Sequence, residues 1–328
     1  MSSASDVGAW VRWGPMRADL HVDTLWRLEE MGGGLFPQRE QLHIDASRCR
    51  EAAVSLLCSA VFTEDARADP WNHCNRLLDV RDRLHSDARE PFEMVVDPVQ
   101  LEALGESKTG MLGTIENGSC LEGDLSRLEL LHDRGIRILG VTWNGANELG
   151  QGVLEDDHEG LTSFGKDAIR LASELGWAID VTHLNREGVI DVCDSGAPVV
   201  ATHSNARSLH EHPRNLSDEL LQLISDRGGM VGVNVYPPFL APSSEAVNLD
   251  TVARHVLHLM EFLGQERVGL GTDLDGISTL PEDFRDHRDL DRLARALLQA
   301  GVPSGGVDSV LGDGFVDWWK NWSVSGRS

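Results

Sequence analysis

Short apolar runs rich in β-branched residues alternate with longer stretches of helical periodicity along almost the whole chain. The first run is RADLHVDTL, residues 17–25. It is followed by AAVSLLCSAVF (52–62), GMLGTIE (110–116), IRILGVTW (136–143), WAIDVTH (177–183), PVVATH (198–203), MVGVNV (230–235) and RVGLGTD (267–273). Helical patterns follow the runs at 71–84, 125–133, 161–175, 186–194, 217–226, 251–263 and 290–300. Gly135, Gly176, Gly196 and Gly229 precede runs, where a helix end calls for a left-handed residue. Near-continuous apolar strands with helices between them predict a parallel sheet buried on both faces. Eight such units in this length predict a closed (β/α)8 TIM barrel, a single domain over residues 1–328. A doubly wound open sheet ranks second, because no glycine-rich phosphate loop follows the first run. Residues 306–322 predict a C-terminal closing helix, with Trp318, Trp319 and Trp322 as packing residues.

Composition narrows the possible partners. Net charge is −24 at a sequence pI near 4.8, and Lys108, Lys166 and Lys320 are the only lysines. Nucleic acid and anionic membranes need a basic footprint, so neither is an expected partner. Abundant acid with almost no lysine suits a protein kept soluble in concentrated salt, although a GC-rich genome also favours Arg over Lys. No apolar run approaches the length of a membrane span. The first residues lack the charged-then-apolar layout of a secretory signal, so a cytoplasmic location is expected. The five cysteines include no CxxC pair, which argues against a disulfide framework or a thiolate metal site.

The chemistry gathers at the ends of the strand runs. His21 and Asp23 lie two apart, and residues i and i+2 of a strand face one side. Glu116, His183, His203 and Asp273 end four further runs. In such a barrel the catalytic groups come from the C-terminal ends of strands, so three imidazoles and three carboxylates face one mouth. Imidazole and carboxylate without thiolate suit zinc, and less exclusively manganese, cobalt or iron. Six groups exceed the needs of one catalytic zinc, and two metals sharing a carboxylate fit better. The implied reaction is hydrolysis of an amide or a related acyl or phosphoryl bond.

The segments DLHVDTL, GTIENG, DVTHLN, ATHSNARSLHEHPRNLSDE and GLGTDLDG resemble the membrane (renal-type) dipeptidases, zinc peptidases of the metal-dependent hydrolase barrels. The resemblance spans about Asp19 to Gly276. It implies two zinc ions per chain, with His21 and Asp23 on one, His183 and His203 on the other, and Glu116 bridging. A metal-bridged hydroxide would then attack the peptide bond of a dipeptide, with Asp273 as acid/base and Asp275 structural. Arg214 matches the anchor for the substrate carboxylate, Arg207 a structural partner, and Tyr236 a pocket residue. The resemblance also suggests a homodimer. At the fourth run the chain departs from the pattern. GVTWNGAN carries Trp143 where many such dipeptidases have a His aimed at the scissile carbonyl. Oxyanion stabilisation then falls to the metals, to Trp143 or Asn144, or to another group such as His158. The departure leaves open a related amidohydrolase acting on N-acyl amino acids, cyclic amides or lactones.

Overall fold

Nearly every strand buries apolar side chains on both faces, and the architecture covers both. The protein was studied as a computed structural model, which describes residues 15–36, 38–105, 107–243 and 246–325. Within it, β1 (Ala18–Val22), β2 (Leu56–Phe62), β3 (Phe92–Met94), β4 (Thr109–Glu116), β5 (Ile136–Gly140), β6 (Ala178–Asp180), β7 (Val199–Ala201), β8 (Met230–Val233) and β9 (Val268–Leu270) form one sheet. Its order is β1-β2-β4-β5-β6-β7-β8-β9, and neighbours run parallel. The ends meet where Asp273 N donates to His21 O and Asp23 N to Leu274 O, both at 3.0 Å. This is the (β/α)8 barrel that the alternation of runs predicts.

Strand alternation divides the apolar residues into two cores. Ala18, Leu20, Leu56, Cys58, Leu112, Ile138, Ala178, Val200 and Met230 point inward and fill the lumen. Their neighbours, among them Leu57, Val61, Met111, Ile115, Leu139, Ile179 and Val231, point outward to the helices, and Val22 joins them past the irregularity that shifts the β1 register between Asp19 and Val22. The seven helices expected after the strands are present, from Pro70–Ser86 to Leu290–Ala300.

The closing helix is two helices, Ser304–Leu311 and Asp313–Ser325. They break at Gly312, whose backbone pairs with Arg17. Phe315, Val316, Trp318, Trp319 and Trp322 then join the lumen cluster and stop its N-terminal end. Other differences are local. The first run ends as a strand at Val22, and Thr24–Met31 is helical. The short β3 pairs with β4 outside the barrel path. Gly228 rather than Gly229 takes the left-handed conformation, at φ 69°, after the helix Asp218–Asp226. All five cysteines are buried and free. Among the described residues no helix is long and apolar enough to cross a membrane.

Candidate metal centre

The end of β4 sets the middle of the mouth. Residues of even number on β4 face inward with Leu112, which turns Glu116 toward the lumen. Its two carboxylate oxygens face different partners. Oε2 lies 3.2 Å from His21 Nε2, and Oε1 lies 3.1 Å from His183 Nε2. His203 Nε2 stands 3.9 Å from Oε1, and Asp23 Oδ2 stands 3.6 Å from His21 Nε2. Every one of these residues is buried. Three donor sets emerge, His21–Asp23–Glu116, Glu116–His183–His203 and His21–Asp180–His203, each with its ligand atoms within 4.8 Å.

His183, His203 and Asp273 lie just beyond their strands rather than within them. Side chains replace the ladder there. Asp180 Oδ1 accepts from Thr182 N (2.9 Å) and Thr202 N (3.0 Å), and its Oδ2 accepts from Thr202 Oγ1 (2.5 Å). Across the barrel seam Asp19 repeats the device. Its Oδ1 accepts from His21 N (3.2 Å) and Thr272 N (2.9 Å), and its Oδ2 from Thr272 Oγ1 and His287 Nε2. Each Asp thus clamps the Thr that immediately precedes a mouth residue, His203 or Asp273. Asn117, His183, Asp273 and Asp275 hold φ between 63° and 72°, the concentration of unfavourable backbone expected at a functional site.

The hydrogen bonds also set the imidazole tautomers. His183 donates from Nδ1 to Asn144 Oδ1 at 3.0 Å. His203 donates from Nδ1 to Thr202 Oγ1 at 2.9 Å, since that hydroxyl spends its proton on Asp180. Both Nε2 lone pairs then face the centre, only 3.2 Å apart. Two lone pairs at that separation call for a cation between them. Burial, reinforced by the Arg214 and His21 charges, holds both rings well below the usual imidazole pKa, in the neutral form that binds metal. Among the described residues Asp23 Oδ1 is buried without a hydrogen-bond partner, and His21 Nε2 faces only the carboxylates of Glu116 and Asp23. Burial alone would lower the His21 pKa, but Glu116 and Asp23 outweigh it and hold the ring well above its usual range. Burial and the Glu116 charge raise Asp23 to about 6. These residues fit metal ions, and the donor set is the nitrogen and oxygen set that suits zinc.

Asp273 is raised well above the usual carboxylate range, first by burial and then by Asp23. Asn234 Nδ2 holds its Oδ2 at 3.0 Å. A methyl group at Gly276 would overlap the carboxylates of both Asp23 and Asp273, so only glycine admits that approach. Asp275 turns away to Thr24 Oγ1 (2.7 Å) and His43 N (2.6 Å).

Arg214 lies on the β7 side of the mouth. It is buried, and among the described residues its Nε has no partner and its Nη2 reaches only His203 O at 3.4 Å. Its guanidinium carbon lies 5.3 Å from the Phe239 ring centre, and Tyr236 meets that ring edge-on at 4.9 Å. Burial lowers its pKa to about 10, against the pull of Asp273, Glu116 and Asp180, which leaves it charged at neutral pH. A cavity of about 250 Å³ opens beside it, lined by His183, Ser204 and Arg207 among others. Arg207 staples the loop instead, on Asn215 O and Pro213 O, both at 3.0 Å.

Trp143 lies 6.2 Å from His183 ring to ring, and its indole N–H bonds to no described residue. Asn144 is engaged with His183. His158 does not reach the site: its side chain is 91% exposed beside Asp156. Sequence reading missed Asp19, Asp180, Thr202, Thr272 and Asn234. The pattern D-x-H in β1 and D-x-T starting at the last residue of β6, each paired with a Thr before a mouth residue, is the signal that could have found the clamps.

Residues 15–324 match the family model described as "Membrane dipeptidase (Peptidase family M19)". A Klebsiella pneumoniae protein, described as an uncharacterized protein in the pqqA 5′ region, is 35% identical over 249 residues, 73% of this chain and 88% of its own length. An uncharacterized dipeptidase of Schizosaccharomyces pombe is 30% identical over 234 residues, 70% of this chain and 57% of that protein. A metallo peptidase from Rhodobacter sphaeroides, solved with a phosphinate mimic of the dipeptide L-Ala-D-Ala, superposes with a TM-score of 0.86 at 25% identity, over 93% of this chain and 99% of that one.

Proposed function

This chain belongs to the membrane dipeptidase family of metallopeptidases, and from that premise we propose that it cleaves dipeptides at a centre built for two zinc ions. His21 and Asp23 would hold one ion, His183 and His203 the other, with Glu116 between them. The observation that carries this reading is the division of Glu116, one oxygen toward His21 and the other toward His183. When bound, a metal pair supplies a water of lowered pKa and polarises the scissile carbonyl.

The remaining tasks fall to the protein. Arg214, buried with Nε unengaged, grips the C-terminal carboxylate, for which a planar guanidinium is matched. That contact fixes the distance from carboxylate to scissile bond. Asp273, turned toward Asp23 and steadied by Asn234, takes the proton from the attacking water and returns it to the leaving amine. The Trp143 indole N–H is available to the developing oxyanion. A second reading keeps this machinery but takes N-acyl amino acids, cyclic amides or lactones. It is motivated by Trp143, which cannot carry the positive charge of an imidazolium.

The test is metal analysis with activity. Chelation should abolish hydrolysis of dipeptides, and zinc should restore it at two ions per chain. Glu116→Ala should lower the stoichiometry and turnover together. Full activity with one ion or none per chain would overturn the two-metal reading. Cleavage of N-acyl amino acids, cyclic amides or lactones in preference to dipeptides would favour the second.

A further inference from the structure

The wall of the mouth opposite Arg214 is aromatic. Phe62 ends β2 and pairs in register with Glu116. Its ring lies 5.2 Å from Trp143 at 69° and 5.9 Å from Trp26 at 87°, so the three rings form one edge-to-face chain. By strand alternation within β2, Phe62 is on the same side as Leu56 and Cys58, and both tryptophans remain partly exposed. Arg27, stacked on Trp26 at 5.6 Å, is paired with Glu30 at 3.3 Å.

Strand order fixes which part of a substrate meets this wall. β2 and β4 are the second and third strands of the barrel path, and β7 and β8 the sixth and seventh. Phe62 and Arg214 therefore stand across the mouth from each other, with Glu116, His183 and His203 between. A dipeptide whose carboxylate is held by Arg214 crosses the centre with its peptide bond and brings its N-terminal residue to the β2 side. We propose that Trp26, Phe62 and Trp143 form the subsite for the acyl-side side chain, and that the enzyme selects dipeptides with an aromatic or large aliphatic N-terminal residue. The proposal rests on the dipeptidase reading and specifies its substrate. Offset and edge-on ring contacts favour an aromatic side chain there, and Trp143 contributes a face that the imidazole of related enzymes would not.

The zinc-loaded chain is assayed on Ala-Gly, Leu-Gly and Phe-Gly. From Ala-Gly to Phe-Gly, kcat/KM should rise about tenfold or more, chiefly through KM. In Trp143→Ala the ratio of Phe-Gly to Ala-Gly should fall toward one. Trp143→Phe keeps a ring without the N–H and should retain most of the ratio, which also covers a misfolded alanine variant. A flat series, or a Trp143→Ala variant that slows both peptides equally, overturns the subsite and leaves the dipeptidase reading intact. Failure to cleave any dipeptide overturns both.

Discussion

His255 ties together two loops that shape the Arg214 side of the mouth. It sits on the helix Leu249–Leu263, accepts at Nδ1 from Ala206 N (3.2 Å) and donates from Nε2 to Leu240 O (3.0 Å). Ala206 begins the loop that carries Arg214, and Leu240 ends the short helix that carries Phe239. Burial lowers the ring from its ordinary pKa near 6.5 to about 4. The native state thus favours the neutral ring. Its contribution is complete above pH 6.5 and fades as pH falls toward 4, by up to about 3 kcal/mol. Urea unfolding at pH 7.5 and 4.5 should show a smaller loss for His255→Gln than for the parent chain; equal losses would remove His255 from this role. The sequence points to His21 and Asp23 because strand period sets them on one side. It could not point to His255, whose partners lie 49 and 15 residues away and exist only after the helix packs.

At the level of elements, the same device appears twice. Asp19 joins β1 to the turn after β9, and Asp180 joins β6 to the turn after β7, each through a Thr hydroxyl and two backbone amides. The Thr202 hydroxyl also receives His203 Nδ1–H, so Asp180 orients a proposed ligand through one intermediary. Such outer partners are worth roughly 10–100-fold in metal affinity. Asp180→Asn should weaken zinc binding by about that factor, read by titration against a competing chelator, with little change in the fold. An unaltered affinity would show that Asp180 only stabilises the strand end. The strands themselves were legible in place and order, and their ends were not. The runs WAIDVTH and PVVATH read as strand through the histidines, but Asp180 takes up the amides that would have extended the ladder. The two-helix tail was hidden for a similar reason. The two helices part at Gly312, which pairs with Arg17 just ahead of β1, a contact that the helical pattern does not reveal.

Across the whole molecule, alternation of apolar runs and helical patterns sufficed for the barrel, because burying both faces of a parallel sheet leaves few closed arrangements. The mouth followed from the barrel, since the loops after the strands share one end. What alternation could not supply was the facing of Phe62 against Arg214, which needs the closed ring of strands. A net charge of −24 repels itself, and salt screens that repulsion. The thermal midpoint should therefore rise between 0.1 M and 2 M KCl, and a flat profile would refute adaptation to salt. The stopper of Phe315, Trp318, Trp319 and Trp322 has a further consequence for traffic. Among the described residues these side chains fill that end of the lumen, which leaves the mouth to serve both arriving peptide and departing amino acids. An amino acid released from the C-terminal side would still bear the carboxylate proposed for Arg214, and would queue at the same anchor as the next substrate. Free amino acids should therefore slow the enzyme by competition, and turnover in a digest should decline as its own products accumulate.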